Sequence, residues 1–344
     1  MKSTEARPGQ SRRSFFKSTA MGAALAIPGF GLLNGAESLF AGTKPTINDN
    51  DLAVLNFLAA AELVECDLWG QYCELATNNP KFRRALRKID DSLPDYICGD
   101  FEDECSHANF INAFLVAAGK PPVNLDPFRT LPGVDVDGAK SIGRLTNLTN
   151  LTVDTSYYNR YRKAGNPDFG DTFEQIVTIK NQPTIPTTES IGGQDMLSIA
   201  QTAAFHFAAI EQGGSSLYNS LITKVSNLDV VAILASIGPT EVYHFAVFQT
   251  ALEGIRDLDR HNGPDFPEIE DNPRKGDIMP EPCTFLDKSL PLCSVIRPRN
   301  TNTAGAVAAA TGLVKSGLFE GQSPAFFNAV VALATAADAA VRSC

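Results

Sequence analysis

The sequence predicts an all-α protein: a four-helix bundle with a long crossover between its second and third helices and extra helices at the C-terminus. Three observations predict it. Apolar residues recur at helical spacing in four long segments, two before and two after a stretch from 120 to 194 that is rich in Pro, Gly, Asn and Thr. An Ala-rich tail, 304 to 342, carries the pattern of two packing helices. Each of the four long segments also sets a Glu in its apolar stripe, which an interior tolerates only if the acids meet something that neutralises them.

The 344 residues divide into 1–42, 43–260 and 261–344. In the first, Ser11-Arg12-Arg13-Ser14-Phe15-Phe16-Lys17 resembles the S-R-R-x-F-L-K pattern of twin-arginine export signals, with Phe16 departing. A Gly- and Ala-rich apolar run follows from Thr19 to Leu33. The resemblance implies the twin-arginine export machinery as a partner, cleavage near residue 42, and a periplasmic or extracellular location. That route carries folded proteins, often with a metal or cofactor already bound. Without residues 1–42 the chain keeps 24 basic and 37 acidic residues, a net charge of −13. Such a surface repels phosphate backbones, so no nucleic-acid partner is expected. The later apolar runs are broken short of spanning length, so no transmembrane helix is expected in the mature protein.

The first helix runs from Asp49 to the Asn78-Asn79-Pro80 stop, with Leu52, Leu55, Leu58, Ala59, Leu63, Cys66 and Trp69 as its stripe. Asp100 is read as the N-cap of the second, which stops at Gly119 before Pro121-Pro122. Cys66 and Cys73 lie seven residues apart on the first helix, and Cys98 and Cys105 seven apart at the start of the second. In an antiparallel pair this spacing permits two rungs, Cys66–Cys105 and Cys73–Cys98, with buried free thiols as the alternative. The crossover, 120–194, contains short β-prone pieces such as FEQIVTI, and Asn147 and Asn150 sit in N-x-T patterns read as inert loop residues. The third helix is expected from Asp195 to Val225 and the fourth from Leu228 to Asp257, with Gly238-Pro239 inside it as a kink or restart. Residues 262–300 read as irregular; Cys283 and Cys293 are candidates to close a loop there, leaving Cys344 odd.

Two close helices, a long connection and two more make the ferritin-like topology. The inward polar residues strengthen that reading. In the fourth helix Glu241 and His244 fall in line with Val230, Leu234, Ile237, Phe248 and Leu252. In the second, Glu104 and His107 align with Ile111, Phe114 and Ala118. Glu62 lies in the stripe of the first helix, and Glu211 in line with Ala200, Ala204, Phe207, Gly214 and Tyr218 of the third. Four ionised carboxylates in an apolar seam are too costly unless protonated or neutralised, and two divalent cations cancel four charges. The i, i+3 spacing brings each Glu-His pair onto one face, about 5–6 Å apart at Cβ. Glu65 and Asp67 read as solvated, with Glu65 near enough to Glu62 to support it. His206 faces away from Glu211 and reads as a core or surface histidine; His261 receives no role.

LNFLAAAELVECDLW (55–69), EDECSHANFINAFLVAAG (102–119), AAIEQGGSSLYNSLI (208–222) and ASIGPTEVYHFAVF (235–248) resemble the ferritin-like domain proteins related to plant desiccation-associated proteins and their bacterial counterparts. The resemblance covers the four helices and leaves the crossover and tail unaccounted for. It implies metal ligands at Glu62, Glu104, His107, Glu211, Glu241 and His244, and two divalent ions, iron or alternatively manganese. The chemistry implied is redox work on dioxygen or hydrogen peroxide, as a di-iron oxidase or a manganese catalase-like protein. A non-enzymatic stress or envelope scaffold with a structural metal is the alternative. Trp69, Tyr218 and Tyr243 are candidate electron relays or hydrogen-bond donors, with plain packing as the alternative; an oligomer is compatible with all of this.

Overall fold

The computed structural model describes residues 45–161, 173–269, 281–295 and 305–343. The twin-arginine motif, the cleavage site and Cys344 lie outside the described residues. Helix α1, Asp49–Asn78, starts at a capping box in which the Asn48 side chain accepts from Asp51 N and Asp51 answers from the third helical position. At its far end Asn79 accepts from Lys81 N and Phe82 N and so caps α2, Pro80–Ile89, with proline in the first turn. This short helix is not among the predicted segments, although its buried Phe82, Ala85, Leu86 and Ile89 keep helical spacing.

Helix α3, Leu93–Ala117, begins seven residues before Asp100. Pro94 in its first turn and Gly99 within it disguise the start, so Asp100 is an interior helical residue and not a cap. Helix α4 spans Gly193–Leu221, and α5 spans Leu228–Ala251 behind an Asn227 cap. Both end in a 3-10 turn where the sequence suggests more α-helix. Pro239 does not break α5, and Gly238 beside it lets α4 come close: a Cβ there would meet Cβ of Tyr218 at 2.8 Å.

The bundle is two tight pairs, α1 with α3 and α4 with α5, and α3 also meets α5. The rungs Cys66–Cys105 and Cys73–Cys98 both form, each with Cα atoms 4.8 Å apart, and hold α1 against α3. The third candidate pair does not form. Cys283 and Cys293 face each other across a two-residue ladder, β3 (Pro282–Cys283) with β4 (Cys293–Ser294), but the Cys283 thiol donates to the Cys293 carbonyl and both are free. Before them, β1 (Leu151–Val153) pairs with β2 (Ile179–Gln182) in the crossover; FEQIVTI contributes its last residue to this ladder.

The crossover is anchored by acids of α1. Asp67, expected in solvent, is buried and accepts from Leu145 N, Thr146 N, Thr146 Oγ1 and Arg129. Glu74 does the same for Arg144. Asn147 and Asn150 both reach Glu320, tying crossover to tail. The tail helices α6, Ala306–Lys315, and α7, Pro324–Ala339, pack on each other, α7 against α1 and α6 against α4. Leu228–Gly254 is, by length and composition, long and apolar enough to cross a membrane, a test that a buried core helix also passes. Counting unbroken runs misses it because Glu241 and His244 interrupt the run. Both sit on the buried face, where α5 packs along α4.

Candidate metal centre

The inward face of each bundle helix delivers an acid to one place. Glu62, Glu104, Glu211 and Glu241 are each at most 1% exposed, and the ring of His107 lies among them with that of His244. Two groups are close enough to hold a metal ion: Glu62, Glu104, His107 and Glu241, and Asp100, Glu104, Glu211 and His244, with ligand atoms in each within 4.8 Å of one another. Glu104 belongs to both. All six residues expected from the sequence are thus brought together.

Two more acids join them. Asp100 lies one turn before Glu104 on α3, 3% exposed, and completes the second group. Its reading as a cap hides it; the signal is its i, i+4 spacing to Glu104, continuing the stripe backwards. Glu65, expected in solvent, is half-buried as a residue because its stem lines a cavity, while its carboxylate stands by Glu104. Burial, then the charges of Glu62 and Glu211, raise its pKa well above the carboxylate range.

The imidazoles aim the same atom inward. His107 Nδ1 lies 3.4 Å from Glu62, 3.3 Å from Glu104 and 3.5 Å from Glu241. His244 Nδ1 lies 2.7 Å from Asp100, 3.1 Å from Glu104 and 3.3 Å from Glu211. Its other nitrogen, Nε2, is 3.0 Å from Asp103, which is 54% exposed and fixes the ring from outside. The ring centroids are 6.4 Å apart.

Whether these residues fit metal ions is answered by what they lack. Glu62 Oε2, both oxygens of Asp100, Glu104 Oε1, Glu211 Oε2 and both oxygens of Glu241 are buried with no well-aligned hydrogen bond; the imidazole nitrogens approach several of them, but at angles that do not satisfy them. Orphaned acceptors on this scale are rare in native cores, and each costs about 1–3 kcal/mol or more. Burial first, then mutual repulsion, raises Glu104 (Glu241, Glu62) and Glu241 (Glu62, Glu211) well above the usual range; burial and then Glu211 do so for Asp100. Near neutral pH such a cluster must either take up protons or gather around positive charge, and its carboxylate and imidazole donors suit the ions expected.

The outer oxygens are held by donors. Tyr218 donates to Glu62 Oε1, and Trp69 Nε1 donates to Glu211 Oε1 at 3.0 Å. Trp69 is also stacked on Phe248, with centroids 5.0 Å apart. Tyr243, at 55% exposed, is a surface residue. Gly214 leaves room for the Glu241 carboxylate, which a Cβ in its place would push aside. His206 is buried, as a core histidine, against Tyr72.

Comparison with curated proteins and with solved structures gives no match. A family model for the ferritin-like domain matches residues 50–254, a span that begins in α1 and ends just past α5 and holds every acid and imidazole described above. The chain belongs to the ferritin-like domain family.

Proposed function

We propose that this chain is an exported, dinuclear metal protein that reacts with dioxygen or hydrogen peroxide. The observation that carries the reading is the pair of buried groups sharing Glu104, with their unpartnered oxygens. His107 with Glu62 and Glu241 would hold one ion, and His244 with Asp100 and Glu211 the other, Glu104 lying between. When bound, such a pair supplies electrons to, or takes them from, an oxygen species.

The chain's own residues set the direction of that chemistry. Six carboxylates gather here, Glu62, Glu65, Asp100, Glu104, Glu211 and Glu241. Glu65 against Glu104 shares a proton with it, so at most five negative charges face the ions; two divalent ions offset most of them and one added positive charge on oxidation is tolerated, which suits iron or manganese better than zinc. Tyr218 and Trp69 keep Glu62 and Glu211 oriented through the change, and the Trp69 ring is itself packed against buried Phe207 and Phe248. The twin-arginine-like motif supports loading before export.

Elemental analysis of the protein purified without added metal tests the reading. About two equivalents of iron or manganese are expected, falling below about half an equivalent in Glu104→Gln, because the shared ligand serves both ions. Consumption of dioxygen by the reduced protein, or of peroxide, is measured on the same samples. A folded parent free of metal overturns the reading; metal present with neither oxidant consumed leaves a scaffold with a structural centre.

A further inference from the structure

On one side of the centre the bundle is not closed by its own helices. Between α1 and α4 lies an apolar cavity of about 70 Å³, and its outer wall comes from the tail: Ala309 and Ala310 of α6, Leu318 and Phe319 after it, Val330 and Leu333 of α7. These residues lie outside the span that matches the ferritin-like domain. The inner wall includes Glu65, Gly213 and Gly214. Gly214 backs directly on Glu241, so one turn of α4 backbone and the Glu65 side chain are what separate cavity from centre.

We propose that this cavity is the station through which dioxygen reaches the metal centre, a role that rests on the redox reading above. Three features point to that occupant. Apart from Glu65, every lining residue is apolar or glycine, so water or peroxide entering would give up hydrogen bonds with almost no replacement, whereas dioxygen has none to lose. The volume is several times the ~10–15 Å³ that holds one water and about half the ~150 Å³ of an engineered cavity that takes benzene. It therefore has ample room for a diatomic. Part-buried lining residues, Leu313 of α6 and Val330 and Leu333 of α7 among them, bring it within reach of the surface.

The sole tryptophan provides the test. Trp69 is fully buried and hydrogen-bonded to Glu211, so quenching of its fluorescence by dissolved dioxygen reads gas arrival at the centre, with or without metal. Ala310→Phe, which fills the cavity from the tail, is expected to lower the dioxygen quenching constant by about threefold or more while acrylamide quenching stays at the parent's value. Leu313→Ala, which trims this lining, is expected to raise it by about twofold. Both are measured on the full chain as purified and after chelation, with circular dichroism to confirm folding. Xenon under pressure is expected to occupy the cavity of the parent and not of Ala310→Phe. Unaltered dioxygen quenching in both folded variants overturns the delivery role alone. A parent without metal overturns the redox reading, and the delivery role with it.

Discussion

His206 on α4 and His244 on α5 are buried to nearly the same degree, 3% and 5% exposed. His206 has Tyr72 OH at 2.8 Å from Nδ1, with Nε2 unpartnered, and burial pushes its pKa down to about 3. Burial opposes charge on His244 too, but Asp100, Asp103 and Glu104 outweigh it and raise the pKa. Depth in the core therefore does not decide what a histidine does here. The acids around it do: one imidazole is a neutral packing group, the other faces a cluster built to hold cations.

The largest expected effect follows from removing the metal. In the stripped centre Asp100, Glu104 and Glu241 have folded pKa values above their unfolded ones. Groups raised in this way stabilise fully below the unfolded value, 3.8 for the aspartate and 4.5 for the glutamates, and lose that contribution as pH rises through the folded value. Chelated protein should therefore lose stability steadily from pH 5 to pH 8, the direction in which these buried acids are forced to ionise. Restoring iron or manganese at pH 7.5 should raise the Tm by roughly 10 °C or more. Thermal unfolding with and without chelator at three pH values checks this, and a chelated Tm that is flat or rises with pH would break the contrast with His206.

At His206 the sign reverses. Its folded pKa, about 3, lies below the unfolded value near 6.5, so its neutral burial stabilises above that value and the contribution is lost as pH falls toward 3. His206→Gln keeps a partner for Tyr72 and removes the titration. The parent should lose on the order of 3 kcal/mol more than the variant between pH 6.5 and pH 4, measured by urea unfolding of both in the same metal state. Parallel pH curves for the two would show that burial alone does not set this group.

Some of this is legible in the sequence, and the rest is hidden for identifiable reasons. Glu241 and His244 stand out because between Val230 and Phe248 α5 carries no other charged side chain, and the rungs Cys66–Cys105 and Cys73–Cys98 follow from a shared seven-residue spacing. Asp100 does not, because Pro94 and Gly99 look like breakers while the helix runs through both. Glu65 and Asp67 read as solvent-facing because periodicity describes one helix at a time. Tail residues wall the cavity beside Glu65, and the crossover buries Asp67, both brought in from far along the chain. No local pattern records that covering.

The smallest effect expected comes from outside the centre and sharpens the comparison most. Asp103 touches no candidate ion position; it holds His244 Nε2 at 3.0 Å while Nδ1 faces Asp100, Glu104 and Glu211. Asp103→Asn keeps an acceptor in place but removes the charge that makes the ring a better donor, and changes of this kind lower metal affinity about 10–100-fold. Exposure of Asp103 places the loss near the lower end, about tenfold, because water screens its charge. In a titration resolving two binding steps, one step should weaken by that factor and the other, at Glu62 and His107, should stay put. Equal weakening of both would mean that Asp103 acts through overall charge, and that His244 owes its behaviour to the acids in front of it with no help from behind.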